Sequence, residues 1–176
     1  MPNTETEIRQ RYSTIKFSVS AGISITVLHI GMEQTALAAG SGSEPGATLV
    51  LEIGSQKTAR EYFKHVPPAP HEMENAITAV EDEVIRARAM MKNRSQLFTA
   101  DASIREIALI AGVPESAEMT LSLDSVERSF ERLAAVTLGR PASREGLPTS
   151  TTFAATLLIL RELMQHLKFQ SITLKT

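Results

Sequence analysis

The stretch ISITVLHIGMEQTALAAGSGSEPGATLVLEI, residues 23–53, decides the fold. It contains three apolar runs, at residues 23–30, 35–39 and 47–53, separated by Gly31 and by the loop sequence GSGSEPG. Alternating apolar residues bounded by glycine, serine and proline are typical of β-strands joined by turns. The three runs therefore predict a β-meander, an antiparallel half-sheet onto which later helices must pack.

Helices and single strands alternate over the rest of the chain. Apolar spacing and helix-capping signals predict helices at 55–63, from Pro70 to about Asn93, at 103–111, 124–139 and 151–167. Short apolar runs at 97–99 and 171–174 predict two more strands. This order predicts an α/β domain in which helices cover a mixed sheet, with the very apolar helix 151–167 at its centre.

The beginning of the chain has little apolar periodicity, and residues 1–14 are predicted to be a disordered tail or linker. Ile15, Phe17 and Val19 alternate with polar residues, which predicts a first short strand. The sequence therefore predicts a single domain over residues 15–176.

Composition limits the function classes. Of the 176 residues 43% are hydrophobic and 22% charged, and the net charge is −2 with basic and acidic residues interspersed, so we expect neither nucleic acid nor an anionic membrane as a partner. The absence of cysteine excludes disulfides and thiolate chemistry. Because no apolar run approaches the roughly 20 residues that span a bilayer and the N-terminus has no signal-like segment, a cytoplasmic location is expected.

No residue pattern indicates a catalytic or metal centre. The four histidines, at positions 29, 65, 71 and 166, lie on different predicted elements without the spacing of a zinc site. The acidic run 81–83 lies on a predicted helix whose apolar face is accounted for, which favours a solvated face. In the connection 140–148, two arginines beside Glu145 predict an internally fastened loop, with anion binding as the alternative.

Gly31 and Gly54 each end a predicted strand, and Gly54 and Ser55 open a predicted helix. A helix N-terminus presents backbone amides and a positive dipole, an arrangement that favours phosphate groups. This is a weak candidate anion site, and no catalytic residue is predicted beside it.

Taken in chain order, these segments resemble the second lobe of the exopolyphosphatase and guanosine pentaphosphate phosphatase family, within the actin-like ATPase superfamily. The family's Asp-Ile-Gly-Gly-Gly-Ser-Thr-Glu loop and its Gly-Gly-Thr turn correspond to residues 29–36 (HIGMEQTA) and 100–103 (ADAS). The other corresponding segments are 51–54 (LEIG), 60–63 (REYF), 66–70 (VPPAP), 140–148 (RPASREGLP), 157–163 (LLILREL) and 171–174 (SITL). The resemblance spans roughly residues 23–174 and implies a ribonuclease H-like single lobe.

The departures from the family pattern fall at its two phosphate loops. His29 replaces the acid that helps to hold metal, while Met32 and Glu33 replace glycines and Gln34 replaces the serine. Asp101 adds negative charge at the second loop. The resemblance also implies a first lobe, with the opposing phosphate loop and the glutamate that activates water, which this chain lacks. Altered phosphate loops and the lack of the opposing lobe imply a catalytically inactive domain with no cofactor. Magnesium would be needed only if activity is retained.

The resemblance leaves three hypotheses. The first is an inactive domain for protein interaction or regulation, with a homodimer or a protein partner covering an apolar face near Gly31 and helix 151–167. The second is a fragment of a two-lobed polyphosphate or nucleotide phosphatase, a phosphoric anhydride hydrolase. The third is a residual phosphate- or nucleotide-binding module, whose candidate ligand-binding residues are Gly31, Gln34, Thr35, Gly54 and Ser55.

Overall fold

A computed structural model describes residues 3–89 and 94–176. Within these residues the strands are β1 (Ile25–Ile30), β2 (Thr35–Gly40), β3 (Ala47–Leu51), β4 (Gln96–Thr99), β5 (Glu118–Ser122) and β6 (Ser171–Lys175). They form one sheet in the order β3-β2-β1-β4-β6-β5. The first three strands are antiparallel, β4 and β6 run parallel to β1, and β5 is antiparallel to β6. The predicted meander and mixed sheet are confirmed.

Helices cover both faces of this sheet. They are α1 (Thr4–Phe17), α2 (Ser55–Tyr62), α3 (Pro70–Ile85), α4 (Ala102–Ile110), α5 (Leu123–Thr137), α6 (Ala142–Glu145) and α7 (Thr151–His166), and α3 continues into a 3₁₀ turn at Arg86–Ala89. The larger core lies between the sheet and α7, which also packs against α2, α3, α4 and α5. Leu157, Leu158 and Ile159 are fully buried there, as expected for a central helix.

The predicted disordered tail was wrong, because residues 4–17 form α1. The side chain of Asn3 caps this helix by accepting a hydrogen bond from the amide of Thr6 at 2.8 Å. Its buried side chains, Ile8, Tyr12 and Ile15, pack on the second face of the sheet. The strand predicted from Ile15, Phe17 and Val19 was also wrong, since Ile15 belongs to the buried stripe of the helix and Phe17 is 95% exposed.

Smaller differences concern element ends. The sequence analysis missed β5, a short edge strand that alternates buried Met119 and Leu121 with more exposed neighbours. The following helix begins at Leu123 with Ser122 as its cap, one residue before the predicted Asp124. Helix α3 ends at Ile85 because the chain tightens into the 3₁₀ turn, and the predicted end near Asn93 lies outside the described residues.

Candidate functional site

A cleft lies at the carboxyl end of β1, between α1 and the first turn of α2. Its volume is about 490 Å³, and it is lined by Thr4, Glu7, His29, Ile30, Gly31, Met32, Glu33, Gln34, Ser55 and Ser103. In open α/β sheets, the carboxyl ends of the strands are the usual place for a ligand. The cleft is therefore the natural candidate site of this fold.

The first turn of α2 is already hydrogen-bonded to the loop that follows β1. The amide of Ser55 donates to the carbonyl oxygen of Gly31 at 3.0 Å. The amides of Gln56 and Lys57 both donate to the carbonyl oxygen of Met32, at 2.9 and 3.0 Å. An anion at a helix N-terminus binds amides that have no other partner, and here the first three amides of α2 are occupied by the protein's own backbone.

The two glycines allow backbone to approach backbone. A Cβ atom on Gly54 would lie 2.4 Å from the carbonyl oxygen of Met32, and one on Gly31 would lie 2.6 Å from that of Gln34. Both distances are far below van der Waals contact. Gly54 is thus required for the packing of the loop against the start of α2, and Gly31 for the tight turn from 31 to 34, whereas the sequence analysis proposed a role in approaching a ligand.

The five predicted ligand-binding residues are only partly brought together. Gly31, Gln34 and Ser55 line the cleft, but Thr35 and Gly54 do not. Thr35 is buried in β2 and its hydroxyl donates to the carbonyl oxygen of Ile53 at 2.8 Å. The Gln34 side chain accepts from Thr4 at 2.6 Å and donates to Glu52 at 2.9 Å. These polar groups are satisfied within the protein.

A buried carboxylate, Asp101, joins the ends of β1 and β4. Its side chain is 3% exposed, accepts from the amide of Ile30 at 2.7 Å, and lies 2.7 Å from Nδ1 of His29. Because a carboxylate accepts, Nδ1 of His29 carries the proton and its Nε2 faces Glu7 at 3.6 Å. Arg11 approaches the same carboxylate at 3.5 Å. The Asp101 charge is therefore directed to β1 and α1, and not to the place where an anion was expected.

Glu7 of α1 is a cleft residue that the sequence analysis missed. It forms an ion pair with Arg11 at 2.9 Å. The hydrogen bond from Arg11 lowers the pKa of the Glu7 carboxyl, outweighing the effect of burial, and His29 acts in the same direction as Arg11. Glu7 therefore stays ionised at neutral pH. The four-residue spacing of Glu7 and Arg11 was an available helical signal, but no structure was assigned to residues 1–14.

The charges of the cleft disfavour a polyanion. Among the described residues that line it there are two glutamates, Glu7 and Glu33, and no lysine or arginine. The nearby Arg60 binds Glu33 through both of its terminal nitrogens, at 2.9 Å each, and this hydrogen bonding lowers the pKa of Glu33. A phosphate chain would meet ionised carboxylates with no unpaired guanidinium among these groups to offset them.

The cleft residues do not fit a magnesium site. Mg²⁺ favours carboxylate oxygens in a near-octahedral arrangement and keeps several waters. Glu7 is bound by Arg11, Glu33 by Arg60, and Asp101 by His29 and the Ile30 amide. No magnesium-dependent step follows from this arrangement.

The connection 140–148 is fastened by its own charges, as predicted. Arg140 pairs with the Glu145 carboxylate at 2.8 Å, and Nε of Arg132 donates to the Glu145 carbonyl oxygen at 3.0 Å. The first contact uses Arg140, one of the two arginines that the alternative hypothesis assigned to an anion. Within the described part of the chain, no helix is both long and apolar enough to cross a membrane.

Comparison with solved structures identifies the class of fold. The Ppx/GppA phosphatase of Aquifex aeolicus, in the crystal structure of its type II variant, matches with a TM-score of 0.81 at 16% identity, over 98% of this chain and 59% of that chain. An exopolyphosphatase from Cytophaga hutchinsonii matches with a TM-score of 0.74 at 15% identity, over 98% of this chain and 59% of that one. No protein-family model and no curated protein matches the sequence.

The chain thus shares the fold of these Ppx/GppA and exopolyphosphatase structures, and the resemblance seen in the sequence is confirmed at the level of fold. Identity this low shows the fold alone. The chain spans about 59% of the length of these solved structures, which is consistent with a single lobe. A match over 98% of the chain includes α1, so the resemblance extends beyond residues 23–174 to the N-terminal helix.

Proposed function

We propose that this chain is an exopolyphosphatase-related cytoplasmic domain that does not hydrolyse phosphoanhydride bonds and acts through contact with another protein. The shared fold supports the relationship. One observation carries the proposed inactivity: the amides of Ser55, Gln56 and Lys57 already donate to the backbone of the preceding loop. A phosphate group that replaced these bonds would leave the carbonyl oxygens of Gly31 and Met32 without those donors.

Electrostatics supports the same proposal. Phosphoryl transfer relies on preorganised donors and cations around the transferred group. The lining of this cleft has two glutamates and neither a lysine nor an arginine among its described residues. The carboxylate of Glu7 has the ionisation state of a general base, but the neighbouring cation, Arg11, is already paired with Glu7 itself and approaches Asp101.

A partner on this face would meet a mostly polar surface. The sequence analysis expected an apolar interface near Gly31 and helix 151–167; α7 lies inside the larger core and α1 packs over the smaller one, so the apolar side chains of these helices face inward. Met32, 60% exposed, is the large apolar side chain that the cleft presents. We propose that Met32 and the flanking Glu33–Arg60 ion pair contact the partner or a second copy of this chain.

The test of inactivity is phosphate release from long-chain polyphosphate, ATP and guanosine pentaphosphate, with and without Mg²⁺. The expected result is no release above the protein-free control. Glu7→Gln is the matched variant, because it removes the cleft carboxylate and keeps its shape. Release by the unchanged chain that is lost in Glu7→Gln would overturn the proposal.

The test of the protein contact is sedimentation velocity over a wide concentration range. Dimerisation that Met32→Ala weakens and that the control Leu109→Ala leaves unchanged would support a second copy as the partner; Leu109, on α4, is also an exposed large apolar side chain. A monomer at every concentration would exclude self-association through this face.

A second candidate is a residual phosphate-binding module, favoured by the side chains of Gln34, Ser55 and Ser103 in the cleft lining. It predicts saturable binding of pyrophosphate without hydrolysis, seen as a rise in melting temperature with ligand concentration. Binding of this kind would favour phosphate binding over protein contact as the function of the chain.

A further inference from the structure

Two helices bring a histidine and two carboxylates together away from the cleft lining. Glu162 and His166 lie one turn apart on α7, and Glu81 projects from α3. Nε2 of His166 is 3.0 Å from Glu162 and 3.8 Å from Glu81, and one ligand atom from each residue lies within 4.8 Å of the other two. The sequence analysis predicted no metal site; Glu162 and His166 have helical spacing, but Glu81 lies far from both in the sequence.

The cluster is held on rigid structure. The Glu162 side chain is 2% exposed, while His166 is 17% and Glu81 41% exposed. Helix α7 is the central helix of the larger core and packs directly on α3. Two of the ligand atoms are therefore preorganised, and the third belongs to a side chain that has room to adjust.

Arginines fix the surroundings of the cluster. Arg161 donates to Glu162 at 2.9 Å and to Glu127 of α5 at 3.0 Å, and its guanidinium stacks 4.4 Å from the ring centre of Phe130. One oxygen of Glu162 is thus oriented by Arg161, and the other is directed to His166. This is the role that an outer residue has around a metal ligand.

Arg88 determines the tautomer of His166. Its guanidinium lies 3.1 Å from Nδ1 of the imidazole, and because a guanidinium only donates, Nδ1 accepts. The ring proton is then on Nε2, directed at the two carboxylates. Because the Glu162 side chain is only 2% exposed, a cation beside this carboxylate would offset part of the cost of burying its charge.

We propose that Glu81, Glu162 and His166 bind a divalent transition-metal ion such as Zn²⁺, with water as the remaining ligand. One imidazole and two carboxylates are a ligand set that Zn²⁺ accepts in a tetrahedral site with an open position, at metal–ligand distances of about 2.0–2.2 Å. A small rotation of the exposed Glu81 side chain closes the triangle of ligand atoms. The ring proton moves from Nε2 to Nδ1 through solvent, and Arg88 turns away from Nδ1.

The experiment is isothermal titration of the full chain, stripped with a chelator and dialysed, with ZnCl₂. Co²⁺ absorption serves as a second readout of the ligand set. We expect one saturable site and a rise in melting temperature with Zn²⁺. Glu81→Gln should weaken binding by about tenfold or more, whereas the matched control Asp82→Asn, an exposed acid on the same helix, should leave it unchanged.

The variant Arg88→Gln distinguishes metal binding from a network of ion pairs that only stabilises the fold. A glutamine at this position can accept the proton of Nδ1, so it should tighten Zn²⁺ binding several-fold and change the Co²⁺ spectrum little. No saturable binding, or equal weakening by Glu81→Gln and Asp82→Asn, would show an ion-pair network only and would overturn the proposal. Since Glu81 and Arg88 are the more exposed members, both variants are expected to fold.

Discussion

The two faces of the sheet are covered in different ways. On one face, α7 lies between the strands and four other helices, and the larger core extends through all of them. On the other face, α1 is the one helix among the described residues that covers a small core of Ile25, Val27, Ala36, Ala38 and Phe98. Several helices pack together on the first face, whereas the core of the second face depends on α1.

The difference also explains the cleft. Helix α1 packs through Ile8, Tyr12 and Ile15 and, from the same helix, brings Glu7 and Arg11 to the ends of β1 and β4. The helix that closes the smaller core therefore sets the charge of the candidate site. A change that loosens α1 should therefore both destabilise this face of the sheet and alter the charges of the cleft.

The largest expected effect is that of removing residues 1–17. Three buried side chains, each stabilising by about 1.5–3 kcal/mol, amount to about 5 kcal/mol or more, which approaches the whole stability of a small domain. We expect the shortened chain to aggregate or to lose cooperative urea unfolding. Arg9→Gln, an exposed change on the same helix, should leave the midpoint unchanged, and a shortened chain with normal unfolding would contradict the dependence on α1.

Truncation of a core residue on each face comes next. Leu158→Ala and Ile8→Ala should each lower the free energy of unfolding by about 2–5 kcal/mol, since both side chains are fully buried. The faces should differ in hydrogen exchange. Ile8→Ala should accelerate exchange mainly in α1, and Leu158→Ala should accelerate it throughout the larger core. Equal acceleration everywhere in both variants would mean that the faces unfold as one unit.

Asp101 tests the link between α1 and the strand ends. Asp101→Ala leaves the Ile30 amide without its acceptor and should lower the free energy of unfolding by about 2 kcal/mol, the usual cost of losing bonds to a buried charged group. Asp101→Asn keeps an oxygen for that amide and should cost less. Chemical denaturation measures both, and an alanine variant as stable as the asparagine variant would show that this acceptor does not matter.

The smallest expected effect is the acid sensitivity of the larger face. Burial alone would raise the pKa of Glu72, but hydrogen bonds from the amides of Ala69 and Lys64, together with His65, lower it to about 2 from 4.5. Because the folded pKa is the lower one, the stabilisation is present above pH 4.5 and is lost as the pH falls toward 2. Glu72→Gln should therefore reduce the pH dependence of the melting temperature in this window, and an unchanged slope would contradict it.

The sequence predicted the elements whose apolar pattern is dense. The meander and α7 are of this kind, since nearly every second residue or a whole helix face is apolar there. Helix α1 was missed because three well-spaced apolar side chains among polar ones give a weak pattern, and β5 because it is a short edge strand. Both are fixed by the packing of distant segments.

The cleft shows a different limit. Gly31 and Gly54 were located at strand ends, but their role depends on hydrogen bonds between the 31–34 loop and the first turn of α2. Backbone bonds between segments leave no signature in side-chain patterns. The positions of the two glycines were therefore predictable, whereas the hydrogen bonds between the loop and the amides of α2 were not.

The most direct test of the central claim is a titration of the ¹⁵N-labelled chain with Mg²⁺ and tripolyphosphate, followed by amide chemical shifts. The account predicts no saturable change at Gly31, Ser55, Gln56 or Lys57, because these amides keep their backbone acceptors. Saturable shifts at these amides, at ligand concentrations that leave β5 and β6 unaffected, would show that the loop opens to phosphate and would contradict it.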